Sequence, residues 1–573
     1  MLRTKLVAIN SQYVHSNLAI RALKAQLPQR EVSWMEANIN QQQAWILQEL
    51  LQGDPQVLCF SCYLWNMQTV LQLCEDVRSI RPDIRLILGG PEVSFEAKAW
   101  LAAHPHADTL ICGEGEERLP QVLCALSDGR PLAGLPGVVY QTPGGCIEGD
   151  QTPQIVEGFA ELPFVYADPA LLPDKRQIVY YESSRGCPFG CAYCLSGSGG
   201  RRVRFRSVAR VQQELAALSR YGVKLVKFVD RTFNADPARA AQILAFAMEH
   251  TGEMCIHLEI GADLLDAQTI ALLQCAPKGK FQLEAGVQSC NPKTLQSVVR
   301  KTDLHALSRN VRAVCSARNV HVHLDLIAGL PFEDLASFAR SFDTVYAMQP
   351  HQLQLGFLKV LRGSPLWGQV RQYGLQFRSY PPYEVLQTPW LPHQAVLRLK
   401  CVEEAVERYY NNARARRSLN LLLHERFDSP FALFDALAQF LMQTGQLTRP
   451  QSAAHQLIAL CAFAQNVLPQ AGYDRFLAPC LLDYMQCGIK GEWPEPFASR
   501  FSQKRARQCA RRAMEQGWMT HAQFVRNAFC VLPLHPQTGE PMQVLCMVEP
   551  SRDVVTGQAD VTVWPWPEEG NGV

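Results

Sequence analysis

The stretch YESSRGCPFGCAYC, residues 181–194, decides how this sequence is interpreted. It places Cys187, Cys191 and Cys194 on one loop, directly after an apolar run that is typical of a strand. Three thiolates at this spacing can ligate three irons of one [4Fe–4S] cubane, and the fourth iron is then left without a protein ligand. A zinc site would need four ligands in paired spacing, and no second pair lies nearby. The spacing therefore favours a cluster held by these cysteines over three unrelated core cysteines.

A series of strand and helix patterns begins at this loop. Each apolar run of the series is followed by a helical pattern, and the predicted strands are Ile178–Glu182, Leu225–Asp230, Ile256–Ile260, Phe281–Ala285, His321–Ile327 and Gln352–Lys359. Six consecutive βα units predict a partial or full (β/α) barrel over residues 177–368.

The fold class on either side of the barrel follows from the same periodicity. Residues 1–145 alternate amphipathic segments with apolar runs at Lys5–Ile9, Val57–Ser61, Arg85–Leu88 and Asp108–Cys112, which predicts a Rossmann-like, doubly wound parallel sheet. Residues 146–176 are rich in Gly and Pro and are expected to be a linker. Residues 369–573 are expected to be mainly helical, with a terminal β-hairpin formed by Asn527–Leu532 and Gln543–Val548.

Composition excludes several classes of partner. The 573 residues carry a formal charge of +2, so no overall field favours nucleic acid or an anionic membrane. We find neither an apolar run long enough to span a bilayer nor the h-region of a signal peptide. Twenty cysteines in such a chain are expected to be reduced thiols in the cytoplasm. The basic residues of 504–512 favour a solvated helix face, because no aromatic side chains are interleaved with them.

The cysteine loop resembles that of the radical S-adenosylmethionine (SAM) superfamily. The resemblance implies that the open iron binds the amino and carboxylate groups of SAM, and that electron transfer from the cluster yields a 5′-deoxyadenosyl radical. It also implies that Tyr193 contacts the adenine and that a reductant such as flavodoxin or ferredoxin supplies the electron.

Further motifs along the barrel resemble the SAM-binding positions of the branch that includes the oxygen-independent coproporphyrinogen oxidases. These positions are Glu259, Gln288, Arg300 and Asp325. Their chemistry suits ribose hydroxyls and the SAM carboxylate. The family's Gly-Gly-Glu motif is replaced by residues 229–234, so Asp230 is expected to contact the SAM amino group. Glu259 and Asp325 as salt-bridged charges inside the barrel remain the alternative.

The N-terminal domain resembles the cobalamin-binding domain that precedes many radical SAM barrels. The positions that carry this resemblance are Ser61, Gly89, Gly90, Gly113 and Glu114. The Asp-x-His-x-x-Gly signature is absent, so no histidine is assigned to cobalt. A flavodoxin-like domain without a corrin is the alternative, and the Cys59/Cys62 pair is expected to be core packing.

After Gly363-Ser364-Pro365, the stretch of residues 380–388 leads into a largely apolar helical pattern over Gln394–Tyr410. This combination resembles the uncharacterised DUF4080 domain. Together the three resemblances imply a radical SAM enzyme that is expected to use cobalamin. The reaction is expected to be methyl transfer to carbon or a rearrangement, and the substrate to be a small molecule or a compound of unknown class. One alternative is a tRNA-modifying or other macromolecule-modifying enzyme that docks its substrate through the N-terminal domain. The other is an iron–sulfur redox sensor, which the group formed by Glu259, Gln288, Arg300 and Asp325 disfavours.

Overall fold

The computed structural model of the chain describes residues 2–27, 32–142, 144–197, 202–489, 491–536 and 541–566. None of the helices in these ranges combines the length and the hydrophobicity that a membrane span requires.

The N-terminal domain is a seven-stranded sheet in the order β2-β1-β3-β4-β5-β6-β7. Strands β1 to β5 are parallel, whereas β6 and β7 continue the sheet antiparallel. Val7 and Ile9 pack into one buried core, and Leu6 and Ala8 pack into another on the opposite face, so helices cover both faces as the predicted doubly wound fold requires. The elements are β1 (Thr4–Asn10), α1 (Leu18–Gln26), β2 (Val32–Asn38), α2 (Gln43–Leu51), β3 (Val57–Ser61), α3 (Met67–Ile80), β4 (Arg85–Gly89), α4 (Ala97–Ala103), β5 (Thr109–Ile111), α5 (Arg118–Ser127), β6 (Val138–Gln141) and β7 (Ile147–Gly149).

Three strands of this sheet were not expected from the sequence. The edge strand β2 mixes buried and exposed residues, so it lacks the continuous apolar run that marked its neighbours. The hairpin of β6 and β7 lies in a region of weak periodicity, and β7 extends the sheet past residue 145 to Gly149. The segment expected to be a linker therefore begins with a strand of the first domain.

The central domain confirms the predicted partial barrel. Its parallel strands form an open sheet in the order β15-β14-β13-β12-β11-β8, and each overlaps one predicted strand. The elements are β8 (Val179–Tyr181), β9 (Ser184–Arg185), β10 (Arg204–Phe205), α6 (Val208–Arg220), β11 (Leu225–Phe228), α7 (Pro237–His250), β12 (Cys255–Glu259), α8 (Ala267–Gln274), β13 (Phe281–Gln288), α9 (Pro292–Ser297), α10 (Leu304–Ser316), β14 (His321–Ala328), α11 (Leu335–Tyr346) and β15 (Gln352–Phe357).

The C-terminal region is mainly helical, as predicted, but it ends in three antiparallel strands and not in a hairpin. The third strand, β20, alternates half-buried and exposed residues, which is the pattern of an edge strand. The basic residues on α19 are exposed, as expected. The elements are α12 (Pro365–Gly368), α13 (Val370–Tyr373), β16 (Gln376–Phe377), β17 (Val385–Gln387), α14 (His393–Val406), α15 (Arg416–Arg426), α16 (Pro430–Gln443), α17 (Ala453–Val467), α18 (Gln470–Met485), α19 (Gln503–Glu515), α20 (His521–Arg526), β18 (Ala528–Leu534), β19 (Pro541–Arg552) and β20 (Ala559–Pro565).

The helical region closes one open edge of the barrel. Asn411 lies in a π-helical turn, Glu407–Asn411, that continues α14. Its side chain accepts a hydrogen bond from the Leu353 amide at 2.9 Å and donates one to the Leu353 carbonyl at 3.0 Å. The edge strand β15 thereby gains a partner that a further strand would otherwise supply.

His351, just before β15, should make stability depend on pH. Burial lowers its pKa to about 3, and its Nδ1 accepts a hydrogen bond from the Val322 amide at 3.1 Å. The unfolded chain takes up this proton near its ordinary pKa of 6.5, so native stability is lost as pH falls from there, by up to about 1.4 kcal/mol per pH unit. Urea unfolding of the wild type and His351→Gln between about pH 7.5 and about pH 5 should show a smaller acid loss in the variant. Equal losses in both proteins would contradict this assignment.

Candidate active site

The carboxyl ends of the two parallel sheets face each other. Arg185, which follows β8 of the barrel, forms ion pairs with Glu114 and Glu116, which follow β5 of the first domain. On another side, the Tyr383 hydroxyl donates a hydrogen bond to Glu92, in the loop after β4, at 2.9 Å. Ligands of such sheets bind at these ends, so the surface between the domains is the expected place for a site.

The cysteine loop is held in place by its backbone. Gly186 has φ +96°, and a Cβ there would collide with the carbonyl of Arg202. The Ala192 amide donates to the Val298 carbonyl at 2.8 Å, and the Ala192 carbonyl accepts from the Leu366 amide at 2.8 Å. Cys187 and Cys191 are buried and Cys194 is half-buried. The three thiols are thus presented from one fixed loop, as a cluster with one open iron requires.

Arg300 connects this loop to the end of β13. Its guanidinium lies 3.7 Å from Cys191 Sγ and 3.3 Å from the Tyr193 hydroxyl, and it donates to the Gly286 carbonyl. A Cβ on Gly286 would overlap the Gln288 side chain. The structure therefore brings Tyr193, Gln288 and Arg300 together beside the cysteines.

Gln288 has the features of a residue held in place for a ligand. It has φ +71° at an irregularity in the β13–β14 register, a conformation that costs about 1–3 kcal/mol for a residue other than glycine. Its Oε1 is buried without a hydrogen-bond partner among the described residues, and so is Arg300 Nε. Buried polar atoms without a partner are rare. The Gln288 oxygen can accept a hydrogen bond from the SAM amino group, and the Arg300 Nε can donate one to the SAM carboxylate.

Glu259, at the end of β12, is also without a partner. Its side chain makes no hydrogen bond or ion pair within the part of the chain that the structure describes, and burial raises its pKa. A carboxylate in this state suits a pair of ribose hydroxyls, which would supply the missing donors.

Asp230 has partners that the sequence did not suggest. One oxygen accepts from the Ser183 and Ser184 amides at 2.7 and 3.1 Å, and the other accepts from their hydroxyls at 2.5 and 2.7 Å. The side chain is fully buried. Because four donors occupy both oxygens, we propose that Asp230 positions the turn before the cysteine loop, in place of the expected contact with the SAM amino group.

Asp325 belongs to a network of charged side chains inside the barrel, which is the alternative to a SAM contact given in the sequence analysis. Its Oδ1 lies 2.9 Å from His323 Nε2, and the potential ligand atoms of Asp325, His323 and Glu284 all lie within 4.8 Å of one another. Glu284 in turn lies 2.9 Å from His257 Nε2 and 3.2 Å from Lys227 Nζ. Lys227 already supplies the positive charge that a metal ion would bring to Glu284. Because the contacts of Asp325 described above are all within the chain, its contact with SAM remains a prediction.

The turn after β5 is occupied by the chain itself. A Cβ on Gly113 would collide with the backbone of Gln154. The close packing of these two backbone segments therefore explains why residue 113 is a glycine. Glu114 accepts from the Val156 amide at 2.7 Å and pairs with Arg185 and Arg204. Both residues therefore have partners within the chain, and the expectation that Gly113 and Glu114 bind cobalamin stays a prediction that these contacts do not favour.

One arginine forms ion pairs with three glutamates near the surface between the domains. Arg185 is paired with Glu114, Glu116 and Glu182, and its guanidinium lies 4.9 Å from the centre of the buried Phe159 ring. Burial raises the pKa of Glu182 to about 7, while Arg185 opposes that rise. The network joins the first domain to a residue two positions before Cys187.

The end of β3 carries features that sequence analysis missed. Tyr63 and Trp65 stack with ring centroids 4.5 Å apart, and Trp65 is 45% exposed. The Trp65 indole donates to the Ile9 carbonyl at 3.1 Å, which fixes the pair at the carboxyl end of the sheet. A Cβ on Gly90 would lie 2.5 Å from the Cys62 carbonyl oxygen, so that glycine has a packing role. Ser61 is buried there, and Cys59 and Cys62 are core residues, as expected for the pair.

Comparison with family models confirms the expected domain order. Residues 4–123 match the B12 binding domain, residues 181–345 match the radical SAM superfamily, and residues 371–528 match DUF4080, a protein of unknown function.

Two curated relatives match more than half of this chain. TokK, a cobalamin-dependent radical SAM methyltransferase of Streptomyces tokunonensis, is 25% identical over 60% of this chain and 53% of that protein. The 2-(S-pantetheinyl)-carbapenam-3-carboxylate methyltransferase of Streptantibioticus cattleyicolor is 24% identical over 69% of this chain and 63% of that protein. The chain thus spans between half and two thirds of the length of these relatives.

Two solved structures share the fold. The radical SAM methyltransferase TsrM from Kitasatospora setae, with cobalamin and a [4Fe–4S] cluster bound, has a TM-score of 0.53 at 17% identity, over 67% of this chain and 79% of that chain. The cobalamin-dependent SAM radical enzyme OxsB, with aqua-cobalamin and SAM bound, has a TM-score of 0.59 at 13% identity, over 87% of this chain and 83% of that chain.

The Arg185 network predicts a large effect of one substitution. Arg185→Gln leaves Glu114, Glu116 and Glu182 without their shared cation, and uncompensated buried charge costs about 3–5 kcal/mol. Arg202→Gln is the matched control, since the Arg202–Glu157 pair is exposed and worth at most about 1 kcal/mol. Denaturant unfolding should separate the two variants. Equal stabilities would show that the network does not hold the domains together.

Proposed function

This chain is a radical SAM protein with an N-terminal B12-binding domain and a DUF4080 domain, and we propose that it is a cobalamin-dependent methyltransferase. The observation that carries the proposal is a set of polar groups beside three cysteines on one loop. Among the described residues, Gln288 Oε1 and Arg300 Nε are buried without a hydrogen-bond partner, and the Glu259 carboxylate makes no hydrogen bond or ion pair. A redox sensor would have no use for these groups, whereas SAM supplies a partner for each.

The residues at the barrel mouth divide the work of binding SAM. We assign the three cysteines to the cluster, Arg300 to the SAM carboxylate, Gln288 to the amino acid part of SAM and Glu259 to the ribose. We assign Tyr193, which Arg300 contacts at 3.3 Å, to the adenine. When bound, the cluster supplies the electron that cleaves SAM, and cobalamin supplies a methyl group for an unactivated carbon. The protein's part is to hold the reactants in position and to exclude water.

The corrin site is proposed at the carboxyl edge of the first sheet, on the side of Ser61, Gly89 and Gly90. Glu114 and Gly113 are already occupied, which leaves the ends of β3 and β4 for the ligand. The exposed face of Trp65 offers apolar surface for a macrocycle at that edge. This placement puts the corrin opposite the cysteine loop, across the surface between the domains.

We further propose a cytoplasmic enzyme with a small-molecule substrate that receives its electrons from a flavodoxin or ferredoxin. None of the 20 cysteines, all of which lie within the described residues, is joined in a disulfide, which suits a reducing compartment. The basic face of α19 is exposed and carries no aromatic platform, so it gives no support to the tRNA-docking alternative.

Anaerobic reconstitution tests the proposal. With iron, sulfide, dithionite and SAM, the wild type should yield 5′-deoxyadenosine, and Cys191→Ala should yield none because the cluster loses a ligand. Cys275→Ala, which changes an exposed cysteine directly after α8, is the matched control and should retain the activity.

The cobalamin part has its own readout in the same preparation. Protein grown with corrinoid should retain a corrin absorption band and, after reduction, should convert SAM to S-adenosylhomocysteine. Formation of 5′-deoxyadenosine without any retained corrin would instead favour the docking alternative, and absence of both products would refute the enzyme assignment.

A further inference from the structure

Arg231 stands at the mouth of the barrel between two anchored neighbours. On one side, the buried carboxylate of Asp230 is held by four hydrogen bonds from Ser183 and Ser184. On the other side, the buried Thr232 places its Oγ1 3.6 Å from Cys187 Sγ. The backbone of Arg231 is therefore fixed next to a cluster ligand, while its own side chain is exposed.

The guanidinium of Arg231 has no partner among the residues that the structure describes, since it makes neither a hydrogen bond nor an ion pair with them. The other arginines of this region are already committed. Arg185 and Arg204 are bound by glutamates of the first domain, and Arg300 contacts Tyr193 and Gly286. Arg231 is thus a positive charge at the site that the assignment of SAM contacts does not use.

Arg231 follows β11 beside the end of β12. The two strands are parallel neighbours with Lys227 opposite His257, so Arg231 and Glu259 both lie at the carboxyl ends of the strands. The charge of Arg231 opposes the rise that burial causes in the pKa of Glu259, and it does the same for Tyr63 of the first domain. Glu259 is the proposed ribose ligand, and Tyr63 stacks on Trp65 at the proposed corrin side. The arginine therefore lies between the places proposed for the two cofactors, which is where a substrate must lie to react with both.

We propose that Arg231 binds an oxyanion of the substrate, a carboxylate or a phosphate, in the space between the two domains. The inference rests on the proposed function and narrows its substrate to anionic molecules. An exposed guanidinium with a fixed backbone offers two parallel N–H donors, the geometry that carboxylate and phosphate oxygens match. The SAM carboxylate is already assigned to Arg300, and the phosphodiester in the nucleotide tail of cobalamin belongs to the proposed corrin side at Ser61, Gly89 and Gly90.

The test uses holoenzyme reconstituted with cluster, cobalamin and SAM, with inorganic phosphate and ¹³C-carboxylate-labelled succinate as probes. Pulsed EPR of the reduced cluster should detect saturable ³¹P or ¹³C coupling in the wild type. The probe that binds with the higher affinity identifies the class of anion. Arg231→Gln should weaken binding of that probe about ten- to a hundredfold, the value of a charge-assisted hydrogen bond. Arg231→Lys should keep part of the affinity, because it keeps the charge without the planar fork.

The matched control is Arg220→Gln. Arg220 is likewise exposed, but it ends α6 before β11, at the opposite end of the barrel strands, so its loss should leave probe binding unchanged. Equal probe affinity in the wild type and Arg231→Gln, or coupling that never saturates, would overturn the proposal. It would equally be overturned if Arg231→Gln lost SAM affinity or corrin, because the arginine would then belong to a cofactor site. SAM binding and cleavage by the wild type are measured separately. A failure of the proposed function is therefore distinguishable from a failure of the Arg231 proposal.

Discussion

The structure depends on a single guanidinium shared by two domains. Arg185 is bound by Glu114 and Glu116 of the first domain and by Glu182 of the barrel, and it is only 14% exposed. Such a group is costly to bury unless every charge around it is paired, so this network defines how the first domain sits on the barrel. Because Arg185 precedes Cys187 by two residues, the same network also sets where the cysteine loop lies relative to the first sheet.

This constraint explains how polar groups are distributed at the site. The glutamates that hold the domains together are satisfied, and Asp230 is satisfied by the serines before the cysteine loop. The groups that make no hydrogen bond or ion pair with the described residues are the Glu259 carboxylate, Gln288 Oε1 and the Arg231 guanidinium, and they lie farther along the barrel mouth. Structural and ligand-binding roles are thus carried by different side chains. A site prepared in this way needs little rearrangement when its ligands bind.

Much of this arrangement was predictable from local sequence patterns. The barrel strands are apolar and regularly spaced, so all six were identified, and the cysteine loop and Gln288 follow from motifs. Edge strands such as β2 and β20 were missed because their faces are only partly buried. The pairing of Glu114 with Arg185 joins residues 71 positions apart, and no local pattern reveals such a contact. The proximity of His323 to Asp325 was readable, since residues two apart on a strand share a face.

Every role proposed for SAM requires that the protein leave one iron of the cluster open. Electron–nuclear double resonance of the reduced cluster can detect this open iron when SAM is labelled with ¹⁵N at the amino group and ¹⁷O at the carboxylate. Hyperfine coupling to both labels is expected in the wild type. A cluster that shows neither coupling, or one whose four irons are all ligated by the protein, would contradict it.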